Sequence, residues 1–364
     1  MIAVVADDFT GAAELAGISL RYGLKVELYT GEVVATDADV LIVSTDSRSL
    51  KKEAALEITA DTLKRLLELK PEFIYKKIDS VLRGYVLEEL KVQMQLSGKA
   101  KAIVLPANPS LGRTINNGEY FIDGKRITET GFVNDPEFPV SSSFIKKILN
   151  DDSVKVLKYS DFLPDQGIIV GEAVTIDHVK RWASITDQSF VLAGAGDFFT
   201  GILNNRYAVR LQEKAILQKP LLYVCGTAFN DKKEFISRIS KELGCVSYMP
   251  DEINEEWLKK TCGVIKEKGK AVLAIADSNI SALELRTAMA KAVKEIVERE
   301  DVKEIFIEGG STAAAILEEI KIKQLLPVNE LQRGVVRMKA NDLLITVKPG
   351  SYELPEEIKR LFTI

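Results

Sequence analysis

Two adjacent carboxylates follow the first apolar segment of the chain. Ile2–Ala6 is an unbroken apolar run, which predicts a strand buried on both faces, as in a parallel α/β sheet. Asp7 and Asp8 follow at its carboxyl end, where open α/β sheets bind ligands, and Thr10 precedes an Ala-rich helical segment. A helix cap formed by Asp8 or Thr10 is the alternative. Because ionised carboxylates repel one another and one acid suffices for a cap, the pair predicts a functional site.

A second polar group follows the strand predicted at residues 73–77. An apolar core needs none of these side chains, whereas two cations, an acid and a hydroxyl can hold a hydroxylated anion. Arginine in particular binds carboxylates and phosphates through two parallel hydrogen bonds. The alternative is a solvated loop with a Lys–Asp pair. The residues of this group are Lys77, Asp79, Ser80 and Arg83.

A third loop follows the strand predicted at residues 102–105 and supplies Asn108, Arg113 and Thr114. Alone it indicates only a turn rich in Pro and Gly; its significance is that it is the third such strand-end loop. It opens an irregular stretch that continues to about residue 142, a length typical of a binding loop or lid. Within it, residues 120–127 predict a hairpin that turns at Asp123 and Gly124.

Glycines and hydroxyls follow the predicted strands of the second half. Glycine lets the backbone approach a phosphate closely, and free amides at a helix start favour an anion. Glycine pairs before helices are also ordinary packing devices, which is the alternative. The residues of these loops are Gly226, Thr227, Gly309, Gly310, Ser311, Thr312, Lys348 and Gly350.

Bulk properties exclude several classes of protein. At 364 residues the chain exceeds the usual size of one core, so two domains are expected. The net charge of −4 gives no support for a nucleic-acid surface. A single histidine, His178, leaves no material for His-based zinc sites or a Ser-His-Asp triad. The three cysteines have no spacing typical of metal or redox sites, and the sequence shows neither a signal segment nor an apolar run of membrane-spanning length. These features predict a cytoplasmic protein without membrane contacts.

Strands alternate with helical patterns, which predicts α/β domains with mainly parallel sheets. Residues 50–69 and 87–96 are predicted helices, and a further helix is expected through about residue 212. Residues 218–220 separate a predicted helix from a strand that begins a second α/β series. We therefore predict domains at residues 1–217 and 218–364. The other predicted strands are Val26–Thr30, Val40–Ser44, 167–170, 190–193, Leu221–Cys225, Val246–Met249, 271–276, 304–307 and 343–347.

Five segments together resemble the four-carbon acid sugar kinases, and their order and spacing agree along the whole chain. The resemblance implies that residues 1–217 bind a sugar acid, that residues 218–364 bind ATP, and that the two domains face each other across a cleft. It also implies phosphorylation of a hydroxyl of a threonate, erythronate or oxo-tetronate type of acid. The segments are residues 6–12 (ADDFTGA), 77–84 (KIDSVLRG), 106–114 (PANPSLGRT), 309–312 (GGST) and 348–350 (KPG).

The resulting hypothesis assigns roles to the candidate residues. Asp7 and Asp8 would bind hydroxyls, and one of them, with Asp79 as rival, would accept the proton of the attacking hydroxyl. Arg83, with Lys77 or Arg113, would hold the acid's carboxylate. Ser80 and Asn108 would complete the acid site, and the glycine loops of the second half would cradle the phosphates. Mg²⁺ would be held mostly by phosphate oxygens and water and would need few protein ligands, which the sequence does not identify.

Two alternatives stay open. Residues 194–197 (GAGD) are similar to the catalytic loop of ribokinase-like sugar kinases, where the Asp is the base. A further α/β series follows that motif here, so we interpret it as a tight connection and keep Asp197 as the rival. The other alternative is a non-catalytic sensor, because Thr227, Ser311 and the short Lys348 motif depart from the family's nucleotide loops. A homo-oligomer is possible.

Overall fold

The chain forms two compact α/β units in the computed structural model, Met1–Arg210 and Leu211–Ile364. The predicted boundary after residue 217 stays a prediction. The structure describes residues 1–135, 138–211, 214–226, 230–250, 252–275, 281–350 and 352–362.

The first unit is built on a parallel sheet whose strand order is β2-β3-β1-β4-β11-β5-β10-β9. A separate antiparallel sheet has the order β6-β7-β8. The strands are β1 Ile2–Ala6, β2 Val26–Thr30, β3 Val40–Ser44, β4 Ile74–Lys77, β5 Lys101–Leu105, β6 Arg113–Asn116, β7 Glu119–Ile122, β8 Lys125–Arg126, β9 Lys155–Leu157, β10 Gly167–Gly171 and β11 Phe190–Gly194.

Helices connect the parallel strands of this sheet. Every residue of β1 is buried because the strand has neighbours on both sides and α1 packs on it, which explains its unbroken apolar run. The helices are α1 Phe9–Leu20, α2 Lys52–Glu68, α3 Val86–Ser97, α4 Ile145–Ile148, α5 Ile176–Ser184 and α6 Gly196–Asn204.

The sequence predicted most of this unit within one or two residues. The hairpin turn is confirmed, since Asp123 and Gly124 both have positive φ as a tight hairpin turn requires. The helix expected through about residue 212 was wrong: α6 ends at Asn204, and Gln212 itself lies outside the described residues. Asn204 and Asn205 are poor helix formers because their side chains compete for backbone hydrogen bonds, which favours an end there.

The second unit has the strand order β13-β14-β12-β15-β18-β17-β16, with β17 antiparallel to both neighbours and the other pairs parallel. The mainly parallel fold class is confirmed, but the β16–β17 hairpin was missed. The elements are β12 Leu221–Cys225, α7 Asn230–Leu243, β13 Val246–Met249, α8 Glu255–Lys268, β14 Lys270–Ile275, α9 Ala282–Arg299, β15 Glu304–Glu308, α10 Gly310–Glu319, β16 Gln324–Gln332, β17 Val335–Ala340, β18 Leu343–Lys348 and α11 Glu356–Leu361.

Candidate active site

Polar residues gather at one edge of the first unit's sheet. Strands β3, β1, β4, β11 and β5 are parallel and adjacent, so their carboxyl ends lie side by side. Each of the five is followed, in a loop or at the start of the next element, by acidic, basic or amide side chains. The side chains are Asp7 and Asp8 after β1, Arg48 after β3, Asp79 and Arg83 after β4, Asn108 and Arg113 after β5, and Asp197 after β11.

Asp8 begins helix α1. Its Oδ1 accepts a hydrogen bond from the Gly11 amide at 3.0 Å, and its Oδ2 accepts one from the Thr10 hydroxyl at 2.5 Å. A Cβ at position 11 would lie 2.5 Å from Asp8 Oδ1 and 3.0 Å from Lys77 Nζ, so glycine is needed for this close approach. The helix-cap interpretation is therefore correct, and the same carboxylate also faces the charged groups around it.

Arg48, which the sequence analysis did not single out, joins the predicted aspartates. Its Nε and Nη2 donate to Asp7 Oδ2 at 3.0 Å and Oδ1 at 2.9 Å, a two-pronged contact. Nη2 also donates to Asp8 Oδ1 at 3.1 Å, and Nη1 lies 3.6 Å from Asp79 Oδ1. The available signal was its position four residues after β3, since β3 was correctly predicted and its end belongs to the same sheet edge.

Asp79 and Arg83 form a second two-pronged pair. Arg83 Nε donates to Asp79 Oδ2 at 2.9 Å, and Nη2 donates to Oδ1 at 3.0 Å. The remaining nitrogen, Nη1, donates to Asp135 Oδ2 at 3.0 Å, and the guanidinium lies over the Phe132 ring. Arg83 is thus bound by two carboxylates of the chain itself.

The three aspartates differ in pKa because they share the cations unequally. Burial raises the pKa of Asp7, and Arg48 only partly offsets that effect. Burial also acts on Asp8, but Arg48, Lys77 and the Thr10 hydroxyl together lower its pKa. The pKa of Asp79 lies well below its usual range because, against burial, Arg48 and Arg83 stabilise the charged form. Asp8 and Asp79 are therefore held ionised at neutral pH.

The other predicted acid-site residues lie around this cluster. Lys77 is buried, donates to the Ile78 carbonyl at 2.9 Å, and its Nζ lies 3.6 Å from Glu14 Oε2. Arg113 Nη1 donates to the Ser80 hydroxyl. The structure therefore brings together residues from three separate loops, as the sequence predicted from their strand-end positions.

Asp197 fastens the loop after β5. Both of its carboxylate oxygens accept hydrogen bonds from Ser110, from the amide at 3.0 Å and from the hydroxyl at 2.6 and 2.8 Å. Its own amide donates to Asn108 Oδ1 at 3.1 Å. Asp197 and Asn108 are nearly fully buried, so these contacts hold the 108–113 loop against the start of α6.

Two predicted nucleotide loops meet in the second unit. The Gly226 amide donates to the Glu308 carbonyl at 3.1 Å, and a Cβ at Gly226 would overlap the Thr312 side chain. Gly309 has a φ of 110° and precedes α10, whose first turn contains Gly310, Ser311 and Thr312. These residues form an edge where backbone amides at a helix start can meet an anion. Thr227 lies outside the described residues.

Lys348 is placed differently from what its prediction implies. Its ammonium group is fully buried, lies 3.0 Å from Glu308 Oε1, and donates to the carbonyls of Pro349 at 2.7 Å and Tyr352 at 2.5 Å. A weaker contact reaches the Gly350 carbonyl at 3.4 Å. An ammonium group has three donors, and these contacts engage them within the chain. The geometry favours Lys348 and Gly350 as parts that shape the loop.

The described residues offer neither a metal-binding cluster nor a membrane-spanning helix. Across the described ranges, no three His, Cys, Asp or Glu side chains form a group suited to a metal ion. None of the helices in that part of the chain combines the length and hydropathy that a membrane span requires.

A polar edge in one α/β unit and a glycine-lined edge in the other are the chemistry that a small polar ligand and an anionic one would require, which is typical of the two-domain class of small-molecule kinases. Residues 2–201 match a family model described as a sugar-binding N-terminal domain, and residues 252–352 match a nucleotide-binding C-terminal domain. The chain belongs to the four-carbon acid sugar kinase family.

Its relatives carry related but different substrate names. A D-threonate kinase of Salmonella typhimurium is 33% identical over 44% of this chain and 39% of that protein. A 3-oxo-tetronate kinase of Brucella melitensis is 31% identical over 46% of this chain and 40% of that protein. The match thus spans about two fifths of each relative's length. The crystal structure of a Haemophilus influenzae protein shares the fold, with a TM-score of 0.77, 18% identity and coverage of 99% and 98% of the two chains.

Proposed function

We propose that this protein transfers the γ-phosphoryl group of ATP to a hydroxyl of a four-carbon sugar acid of the threonate, erythronate or oxo-tetronate type. The observation that carries the proposal is the cluster of Asp7, Asp8, Asp79, Arg48 and Arg83 at one sheet edge, within the unit that matches a sugar-binding domain. Hydroxyls of a small acid suit carboxylate acceptors, and its own carboxylate suits a guanidinium whose donors are not already taken up by acids of the chain.

Asp8 is the aspartate best placed to accept the proton of the attacking hydroxyl. Asp7 and Asp79 each bind one arginine through both carboxylate oxygens, whereas Asp8 touches Arg48 through Oδ1 alone. The side chain of Asp8 is also more exposed, at 19% against 5% for Asp7 and 9% for Asp79. A base must reach its substrate within hydrogen-bond distance, and this difference in access favours Asp8.

The second unit would supply the phosphate site. Phosphoryl transfer depends mainly on positioning and on neutralising charge. Backbone amides at Gly309–Thr312, with Gly226 and Thr227, would cradle the phosphates of ATP. Mg²⁺ would arrive with the nucleotide and be held by phosphate oxygens and water. The acid-site carboxylates that the structure describes are already paired with arginine, which is consistent with this source of ligands. Transfer also requires the predicted cleft between the two units, and this arrangement, the cytoplasmic location and a homo-oligomer stay predictions.

The proposal is tested by Asp8→Asn together with a substrate screen. Asparagine still accepts from the Gly11 amide, so the helix cap is kept while the base is lost. We expect ATP consumption by the wild type with D-threonate, D-erythronate or 3-oxo-tetronate, and at least about a hundredfold lower kcat in the variant. ATP affinity should stay within about twofold.

The matched control is Asp61→Asn, which alters an exposed aspartate on α2. Unchanged turnover in Asp8→Asn would remove Asp8 from the mechanism. Binding of an acid without turnover by the wild type would favour the non-catalytic sensor.

A further inference from the structure

Arg48, Arg83 and Lys77, three cations of the acid-site cluster, are already paired with acids of the chain. Arg48 binds Asp7 with two nitrogens, and Arg83 binds Asp79 in the same way. Lys77 donates to a backbone carbonyl and faces Glu14. An incoming carboxylate would have to break one of these contacts before it could use those side chains. None of the three is a ready anchor for a substrate anion.

Arg113 is the exception. Its guanidinium donates to the neutral Ser80 hydroxyl, and among the described residues no carboxylate oxygen lies within 4.0 Å of it. Its positive charge nevertheless contributes to the low pKa of Asp79, so it lies close to the aspartate cluster. A guanidinium has five donors, so donors of Arg113 remain for a bidentate contact with an anion.

The hydroxyl of Tyr120 is a second unused donor beside it. Tyr120 is fully buried, and within the described part of the chain its hydroxyl has no hydrogen-bond partner. Buried tyrosine hydroxyls normally have such a partner, because leaving a buried donor without a hydrogen bond is energetically costly. The pKa of Tyr120 is raised by burial, while Arg113 acts against that shift. The two side chains therefore share one environment.

The hairpin places these two donors on one face. In the β6–β7 register Ile115 is paired with Tyr120, so Arg113, two residues earlier on β6, is a diagonal neighbour of Tyr120. Such neighbours lie about 7–8 Å apart, within reach of long side chains. Their donors can converge on a single anionic group between them. Backbone hydrogen bonds between Asn108 and Arg113 hold this hairpin at the carboxyl end of β5. The contacts of Asp197 with the same loop add to this.

We propose that Arg113 and the Tyr120 hydroxyl bind the carboxylate of the acid substrate, and that Tyr120 is thereby a residue that selects acids over uncharged polyols. The inference deepens the proposed function and rests on it. The substrate would lie with its carboxylate at the hairpin and a hydroxyl toward Asp8. Because the Tyr120 hydroxyl oxygen is covered, neighbouring side chains must move apart before a ligand contacts it.

Tyr120→Phe tests the proposal, since it removes the hydroxyl alone. We expect binding of D-threonate or D-erythronate, measured by titration calorimetry, to weaken about tenfold to a hundredfold, as for a lost hydrogen bond to a charged group. Binding of ATP should be unchanged. The urea midpoint of unfolding should stay the same or rise, because no hydrogen bond within the described chain is lost. Weaker binding with undiminished stability is a combination that a purely structural tyrosine does not give.

Tyr22→Phe is the matched control. That buried hydroxyl already donates to Asn204 Oδ1 at 2.8 Å, so its loss should lower the urea midpoint and leave acid binding unchanged. Arg113→Met should weaken acid binding at least as much as Tyr120→Phe. Arg113→Met should also reduce the difference in binding affinity between each acid and the corresponding four-carbon polyol, threitol or erythritol.

Two results would overturn the inference while leaving the proposed function standing. In the first, the wild type binds one of the acids and Tyr120→Phe binds it with the same affinity. In the second, Arg113→Met weakens the binding of ATP but not that of the acids. Failure of the wild type to bind or phosphorylate any of the acids would instead overturn the proposed function, and the inference with it.

Discussion

Arg48 gives three neighbouring carboxylates three different environments. It binds Asp7 with two nitrogens, touches one oxygen of Asp8 and stays 3.6 Å from Asp79. A lysine in its place would carry the charge but could not reproduce the fork. Under the proposed function, Arg48 is therefore a positioning residue that would act through the aspartates that it orients.

Replacing Arg48 should change the pH dependence of the reaction. Because its charge lowers the pKa of Asp8, Arg48→Met should raise that pKa and move the acidic limb of kcat/KM to higher pH. Arg48→Lys should keep the limb near its wild-type position while kcat falls about tenfold or more, since the fork is lost. The measurement is kcat/KM against pH for both variants, with the exposed Arg65→Met as control. A limb that does not move in Arg48→Met would contradict this role.

At the level of residues, the sequence predicted most of the groups that meet at this sheet edge, but it missed Arg48 and did not predict how the groups pair. Asp7, Asp79 and Arg113 follow recognisable strands, so their convergence follows from the parallel sheet. The choice of Arg83 for Asp79, and of Arg48 for Asp7, depends on side-chain directions that strand-end positions do not determine. The sequence did not indicate a role for Tyr120 in binding, because a tyrosine in a hairpin strand normally packs against cross-strand neighbours.

The loop between β5 and β6 is held by a contact from another element. Asp197 at the start of α6 accepts from the amide and hydroxyl of Ser110, and this fixes the stretch that carries Asn108 and Arg113. A carboxylate engaged in this way is a fastening for the loop. The geometry favours that role over the base role of the ribokinase-like alternative.

Asp197→Asn and Ser110→Ala distinguish the two roles. If Asp197 fastens the loop, both variants should raise KM for the acid about tenfold, because each breaks the same contact, and kcat should fall only a few-fold. If Asp197 were the base, Asp197→Asn would remove nearly all of kcat while Ser110→Ala would not. The measurement is steady-state kinetics with the acid varied at saturating ATP. Thr200→Ser, a conservative change on the same helix, is the control.

Elements with a simple period were predictable, whereas the antiparallel β16–β17 hairpin was not. Helices α2 and α3 and the buried parallel strands follow from periodicity within one or two residues. The β16–β17 hairpin alternates exposed and buried residues only in part of β16 and contains Pro327, and proline argues against a strand assignment. Its turn at Gly334 is clear only once the two strands are seen paired.

Across the whole molecule, buried ion pairs stand at both ends of β15. At its start, Arg337 binds Glu304 through Nε at 2.9 Å and Nη2 at 2.8 Å. At its end, Glu308 accepts from Tyr223 at 2.5 Å and faces the buried Lys348. Removing one partner of such a pair leaves an uncompensated buried charge. The candidate phosphate loop follows the second pair directly, so its shape depends on it.

Lys348→Met should therefore lower both stability and nucleotide affinity. We expect a loss of about 3–5 kcal/mol in the free energy of unfolding, typical of a broken buried pair, measured by urea denaturation. ATP binding should weaken in parallel because the loop loses its shape. The exposed Lys259→Met is the control. Loss of ATP binding with unchanged stability would instead support the predicted direct contact with phosphate.

The close packing of Arg48 against the aspartates also separates this site from its surroundings. Its contacts with Asp7 and Asp8 are 2.9–3.1 Å long, whereas salt at physiological ionic strength screens mainly charges that lie more than roughly 8 Å apart. The side chains are also largely buried, which reduces screening further. Mobile counterions cannot come between partners so placed. The field at Asp8 is consequently a property of the fold, little altered by the salt content of the cell.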